Sequence, residues 1–227
     1  MLRAIIFDFN GVIVDDEPIH FELFQQVLAE EDIRLTKEDY YSRYLGFDDR
    51  GAFTAAYREN GRPLDDRQLA RLIERKASYY REAIKTRMRV FPGVKTMIPA
   101  LAQQVPLAIA SGALKHEIRE ILSSIGLLEK FRTIVSAEDV SRGKPDPEIF
   151  LKALNDLNTA LGGDSPISAS DCLVIEDSKE GIRGARRAGM KCLAVTNSHP
   201  ADLLKDADAV VESLDSLTLK ALEALWL

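Results

Sequence analysis

Cysteine is nearly absent from this chain: Cys172 and Cys192 are its two representatives among 227 residues. Two thiols make no disulfide framework. Each lies in an apolar run (DCLVIED and MKCLAV), so both are expected as buried free thiols of a reducing compartment. Long hydrophobic runs are missing too. The apolar stretches last a few residues, whereas a membrane-crossing helix needs ~20, so no membrane partner is expected. Nor does the start read as a secretory leader, because Arg3 is followed by AIIF and then at once by Asp8. Glycine (13) and proline (9) are too sparse for a low-complexity chain, and 46% hydrophobic residues suffice for a core. Positive charge is not in excess: 30 Lys and Arg stand against 36 Asp and Glu, a net charge of −6. Proteins held to nucleic acid by phosphate neutralisation are ordinarily basic, so that partner is not expected. These absences leave a soluble, cytoplasmic, globular protein of one large domain or two small ones.

What is present is an alternation. Short apolar runs at residues 3–9 (RAIIFDF), 105–111 (VPLAIAS), 133–136, 172–177 (CLVIED) and 191–196 (KCLAVT) read as strands buried on both faces. Helical spacing fills residues 94–103, 114–125, 148–161 and 178–188. The order predicts an α/β fold with a doubly wound parallel sheet. Residues 17–88 break the rhythm: FELFQQVLAEE, KEDYYSRYL and RQLARLIERKASYYREAI all carry helical spacing, and nothing there reads as a buried strand. The expected domains are a core of residues 1–16 and 89–227 and a small all-helical cap of residues 17–88, inserted after the first strand. Pro92-Gly93 punctuates the return. The amphipathic C-terminus, SLTLKALEALWL, is expected to pack on its own core. Its Trp226 leaves open a monomer or a weak homodimer.

Polar clusters stand where predicted strands end, the edge at which open α/β sheets bind ligands. Asp8-Phe9-Asn10-Gly11 ends the first; alternation puts Asp8 and Asn10 on one side, and Gly11 permits a sharp turn. Ser111-Gly112 ends the second, where a hydroxyl and amide hydrogens suit a phosphate oxygen. Lys144 lies in SRGKPDPEIF, a loop bracketed by prolines, and Glu176-Asp177 ends the fourth. Singly, each is an ordinary turn, cap or solvated charge. Their conjunction points to carboxylates sharing Mg²⁺ beside a phosphoryl group that Ser111 and Lys144 neutralise.

In order and spacing, FDFNGVIVDDEPIH, FPGV, IASGALKHEI, RGKPDPEIF and CLVIEDSKEGIRGARRAGM resemble the motifs of the haloacid dehalogenase-like hydrolases, in the subgroup typified by β-phosphoglucomutase. The resemblance spans nearly the whole chain and implies a Rossmann-like core whose helical cap closes over the site. It implies Asp8 as the nucleophile that forms an aspartyl phosphate, Ser111 and Gly112 with Lys144 as phosphate binders, and Lys144 as the shield between phosphate and nucleophile. It also implies a Mg²⁺ site of Asp8, Glu176, Asp177 and the carbonyl of Asn10. The expected activity is hydrolysis of a small phosphorylated metabolite, such as a sugar phosphate. A phosphosugar mutase, a non-catalytic phosphometabolite binder and a dehalogenase are the alternatives. Ala113-Leu114 offer little to hold a second phosphate, which speaks against the mutase.

One residue departs from the resemblance. Phosphotransferring members carry Asp at the position of Asn10, where it protonates the leaving group and later activates water. An amide cannot exchange that proton, so reduced activity is expected. Asn10 is open to three readings: a substitution that traps a complex, a native trait of a slow branch, or a deamidating Asn10-Gly11 pair. On the cap side the resemblance implies that His20 couples substrate binding to cap closure and that Arg50 contacts the distal part of the substrate. Lys76, on the long cap helix, is expected to reach the same cavity, and each is set against an ordinary surface or core role. Residues 71–89 hold seven basic and two acidic side chains and read as a solvated helix face or, alternatively, a funnel for anions. His116 and His199 are expected at the surface.

Overall fold

A computed structural model describes the chain except residues 45, 46, 48, 164, 216 and 227 and the side chain of Trp226. The interface hint drawn from Trp226 therefore lies outside the described residues. Elements follow in the order β1 (Ala4–Phe7), β2 (Val14–Asp15), α1 (Glu17–Ala29), α2 (Lys37–Asp39), α3 (Asp49–Glu59), α4 (Asp66–Arg87), β3 (Arg89–Val90), α5 (Val94–Ala102), β4 (Leu107–Ala110), α6 (Lys115–Ser124), β5 (Thr133–Val135), α7 (Glu148–Leu161), β6 (Cys172–Glu176), α8 (Lys179–Arg187), β7 (Lys191–Val195), β8 (Ala209–Val211) and α9 (Leu219–Glu223). The chain divides into two compact units, Met1–Asp15 with Arg89–Leu227, and Asp16–Met88.

The first unit is built on strands that can be buried on both faces because they carry almost nothing polar: AIIF in β1, LAIA in β4 and CLVIE in β6 are buried at every residue. They form one parallel sheet in the order β5-β4-β1-β6-β7-β8. β1 pairs with β4 on one side, Ile5 against Leu107, and with β6 on the other, Ile5 against Leu173. Chain order reverses across β1, which makes its C-terminal end the switch point where a crevice opens. One face of the sheet is covered by a cluster in which Ile6, Val174, Phe150, Leu157 and Ile182 are buried together. Both cysteines belong to that cluster and are free. Burial pushes the Cys172 thiol up to about 12, so it is inert.

The second unit is helical. Phe24, Val27 and Leu28 of α1 pack with Phe53 of α3 and Leu69 and Leu72 of α4. The Asp65 side chain accepts from the Gln68 amide at 2.7 Å and Gln68 reciprocates, a capping box that starts α4. KEDYYSRY does not continue as one α-helix: after α2, Tyr40–Tyr44 form a π turn. Most cations of residues 71–89 are paired within this unit, Arg75 with Glu30 and Glu31 at 3.0 Å, Arg81 with Glu74, and Arg87 with Glu22. No helix among the described residues is long and apolar enough to cross a membrane.

Candidate active site

Asp8 is the first residue after β1, and its amide still donates to the Ile175 carbonyl of β6 at 2.9 Å. Ladder bonding thus carries the strand geometry one residue past its end and fixes where the carboxylate points. On the β4 side, Ser111 is held the same way, its amide donating to the Val135 carbonyl at 3.0 Å. On the β6 side, Glu176 and Asp177 end the strand and begin the turn into α8. Asp8, Glu176 and Asp177 are all buried and offer oxygens within 4.8 Å of one another.

Lys144 is the cation of this cluster. Its ammonium lies 2.9 Å from Asp8 Oδ1 and also donates to Glu176 Oε1. The loop that carries it is stapled from below. The Glu148 carboxylate accepts the Ser141 and Arg142 amides at 2.8 and 3.1 Å, and Arg187 of α8 donates to the Pro145 carbonyl at 3.2 Å. The Lys144-Pro145 peptide is cis. These contacts hold a long, rotamer-rich side chain in one place, so its ordering entropy is lost on folding rather than on binding.

The charges perturb one another in the expected directions. Burial and the neighbouring Glu176 raise the Asp8 carboxyl to about 6 against the pull of Lys144. Asp177 is raised well above the carboxylate range by burial and then by Glu176 and Asp8. Burial would also raise Glu176, but Lys144 and Ser178 outweigh it and hold it low. Both Glu176 oxygens are in fact occupied: Oε2 accepts the Asp177 and Ser178 amides, each at 2.9 Å, and the Ser178 hydroxyl at 2.8 Å. The same carboxylate fills the space where a Cβ on Gly181 would stand. Glu176 is therefore committed to Lys144 and to the start of α8.

Asn10 bridges to Val14 in a tight turn, with Gly11 at φ +76°. The turn is closed by the Gly11 amide, which donates to the Val14 carbonyl at 2.9 Å. Deamidation requires that amide nitrogen to leave this bond and attack the Asn10 side chain, so the fold opposes the deamidation reading. A Cβ on Gly11 would overlap the Asp177 carboxylate. Gly112 has open space where its Cβ would be, and Leu114 is 41% exposed.

Two residues of this site carry no signal in the sequence. Ser198 donates to Asp177 Oδ2, and Asn197 donates to the Gly11 carbonyl at 2.7 Å. They follow β7, and only the pairing of β7 with β6 brings them to Asp177.

The cap candidates do not share one environment. His20 and Lys76 meet in the helical unit, Lys76 Nζ lying 2.9 Å from His20 Nδ1, while His20 Nε2 lies 3.1 Å from Asp16 Oδ2. Lys76 is 2% exposed, bonded to Asp49 and 4.1 Å from the centre of the Phe24 ring. Burial lowers its ammonium, and Asp49 opposes that. Arg50 lies elsewhere, mostly exposed and 3.7 Å from Asp66. Three of the five residues between Tyr44 and Arg50 are outside the described residues. His116 is exposed and His199 half-buried.

Residues 5–195 match the haloacid dehalogenase-like hydrolase family. The chain is 30% identical over 216 residues to the phosphorylated carbohydrates phosphatase of Thermotoga maritima, covering 93% of this chain and 91% of that one. It is 28% identical over 230 residues to the β-phosphoglucomutase of Bacillus subtilis (strain 168), covering 99% and 96%. The crystal structure of β-phosphoglucomutase from Clostridium difficile superposes with a TM-score of 0.78 at 23% identity, covering 100% and 97% of the two chains, and so shares the fold.

Proposed function

Since the chain belongs to the haloacid dehalogenase-like hydrolases, and within them is a phosphoric monoester hydrolase, we propose that it cleaves small phosphorylated metabolites of the sugar phosphate kind through a phosphoryl group carried on Asp8. The observation that carries this reading is the placement of Lys144 between the Asp8 and Glu176 carboxylates at the switch point of the sheet. An ammonium there offsets the repulsion between an anionic nucleophile and an anionic phosphate, the main obstacle to the attack.

The donor set fits Mg²⁺. It is made of buried oxygens with neither thiolate nor imidazole, which suits a hard cation. Asp8, Asp177 and the carbonyl of Asn10 would hold the ion, and Glu176 would act mainly through Lys144, given its occupied oxygens. When bound, Mg²⁺ supplies positive charge to the oxygens of the transferring phosphoryl group.

The protein's own residues account for the rest. Ser111 and the amide of Gly112 orient the phosphate oxygens. An Asp8 oxygen attacks phosphorus, the bond to the ester oxygen breaks, and that oxygen departs with the electron pair. Water then attacks the phosphorus, its proton passes to solvent, and the Asp8 carboxylate is regenerated. Asn10 can donate a hydrogen bond to the leaving oxygen but cannot give it a proton. Both half-reactions therefore run without general acid–base help, so the enzyme is slow. Leu114, exposed three residues after Ser111, favours hydrolysis over transfer because nothing on it holds a second phosphate. The helical unit, with His20 and Arg50, would select the organic part of the substrate, and Lys76, its ammonium taken up by Asp49 and His20, would support that unit from within.

A panel of phosphomonoesters assayed with and without Mg²⁺, with acid-quenched protein examined by peptide mass spectrometry, tests this reading. Mg²⁺-dependent phosphate release and a phosphoryl group on the Asp8 peptide are expected. Turnover that survives in an Asp8→Asn variant would refute it.

A further inference from the structure

The turn after β7 reaches across the end of β6 and touches the site from the far side. Asn197 donates to the carbonyl of Gly11 at 2.7 Å, and Ser198 donates to Asp177 Oδ2. β6 lies between β1 and β7 in the sheet, so two successive side chains tie together the loops of three strands. The fit is close. The space where Gly11 would carry a Cβ is taken by the Asp177 carboxylate, and Ser198 Oγ is 2.9 Å from the same point. Asp177 is thus enclosed between the backbone of the nucleophile turn and the Ser198 hydroxyl.

The geometry points to Asn197 and Ser198 as positioning residues that set the affinity of the site for Mg²⁺. This rests on the reading of Asp177 as a ligand of the ion. A carboxylate crowded by two others, Asp8 and Glu176, tends to turn away from them. A hydroxyl donating to one oxygen orients the group and leaves the other oxygen for the ion. Asn197 acts at one remove by fixing the Gly11 backbone against which Asp177 rests. Neither residue touches the phosphoryl group in this role.

Titration calorimetry with Mg²⁺ alone, without substrate, tests the inference independently of turnover. Partners of this kind are typically worth about 10–100-fold in metal affinity. Ser198→Ala is therefore expected to weaken Mg²⁺ binding at least tenfold. Ser198→Thr, which keeps the hydroxyl at an exposed position, is expected to restore it. Asn197→Ala is expected to weaken binding in the same direction. Metal-free melting temperatures of the variants close to the parent's establish that the fold persists. A smaller loss in Ser198→Ala, or a loss that Ser198→Thr does not repair, overturns the inference. Asp177→Asn separates the two levels: if it too binds Mg²⁺ like the parent, the metal-site reading fails; if it loses binding while Ser198→Ala does not, only the clasp fails.

Discussion

Replacing Asn10 by Asp is the perturbation that bears most directly on the proposed chemistry. The two side chains have nearly the same shape, and the turn at this position is closed by backbone groups, the Gly11 amide on the Val14 carbonyl, so the fold should be unaffected. The new carboxyl would join a cluster of three buried acids served by one ammonium. Like charges raise a carboxyl toward neutrality, where proton transfer is most effective. General acid–base catalysis contributes about 10²–10⁴-fold, or roughly 3–5 kcal/mol of transition-state stabilisation. Asn10→Asp is therefore expected to raise steady-state turnover of a sugar phosphate by about that factor. Two substrates separate the two proton transfers. p-Nitrophenolate leaves without needing a proton, so the parent should release a burst of p-nitrophenol as Asp8 is phosphorylated and then turn over slowly as water attacks unaided. The variant should lose the burst and run fast on both substrates. A gain of less than about tenfold on the sugar phosphate would refute the assignment of position 10 to proton transfer.

Other consequences can be measured on the same protein. Lys144→Met leaves Asp8 and Glu176 as buried carboxylates without their cation; breaking such a pair costs about 3–5 kcal/mol, readable as a lower urea midpoint in metal-free buffer. Gly181→Ala drives a methyl group into the Glu176 carboxylate, and overpacking of this kind costs about 1–3 kcal/mol; turnover should fall with stability because Lys144 loses its brace. At Asp139, burial is outweighed by the Lys115 ammonium and the Ser136 amide and hydroxyl, which hold the carboxyl at about 2 against a usual 3.8. A depressed carboxyl stabilises above its unfolded value and loses that contribution as pH falls through its folded one, so Asp139→Asn should flatten the fall in melting temperature between pH 3.8 and about 2. Inorganic phosphate should bind detectably by calorimetry in Mg²⁺ buffer and hardly at all in EDTA.

What the sequence disclosed and what it hid divide along one physical line. Strands that are apolar throughout, such as LAIA at β4, announce themselves because nothing else explains such runs, and α7 begins and ends where its periodicity does, at Glu148 and Leu161. Polar residues that end those strands are conspicuous for the same reason, so Asp8, Ser111 and Glu176-Asp177 were visible. β8, AVV among acidic residues, was not visible, because three residues carry too little pattern and its strand state comes from pairing with β7. The sequence does not announce α3 either, and the π turn at Tyr40–Tyr44 reads as ordinary helix. Asn197 and Ser198 were invisible on principle: a polar turn after a strand is commonplace, and their reach to Gly11 and Asp177 exists only once β7 lies beside β6. Lys76 shows the reverse error. A lysine on an amphipathic helix reads as a solvent-facing or substrate-facing cation, yet three groups of its own unit, Asp49, His20 and Phe24, take up its ammonium.

The charge of the site explains why the expected phosphate affinity depends on the ion. Asp8, Glu176 and Asp177 stand against Lys144 alone, so with every group ionised the cluster holds two uncompensated negative charges in a buried space. A phosphate ester brings further negative charge to the same place. At the reduced effective dielectric of such a site these repulsions amount to several kcal/mol, more than Ser111 and the Gly112 amide return as hydrogen bonds. A divalent cation held by Asp8 and Asp177 would offset the two excess charges and let the cluster accept phosphate. On the proposed function metal would therefore have to precede or accompany phosphate, and the acidic balance of the whole chain would be no guide to what this edge of the sheet binds. The raised carboxyl of Asp8 belongs to the same account: burial, and after it the neighbouring Glu176, hold it there, and a bound cation would release it to act as a fully ionised nucleophile.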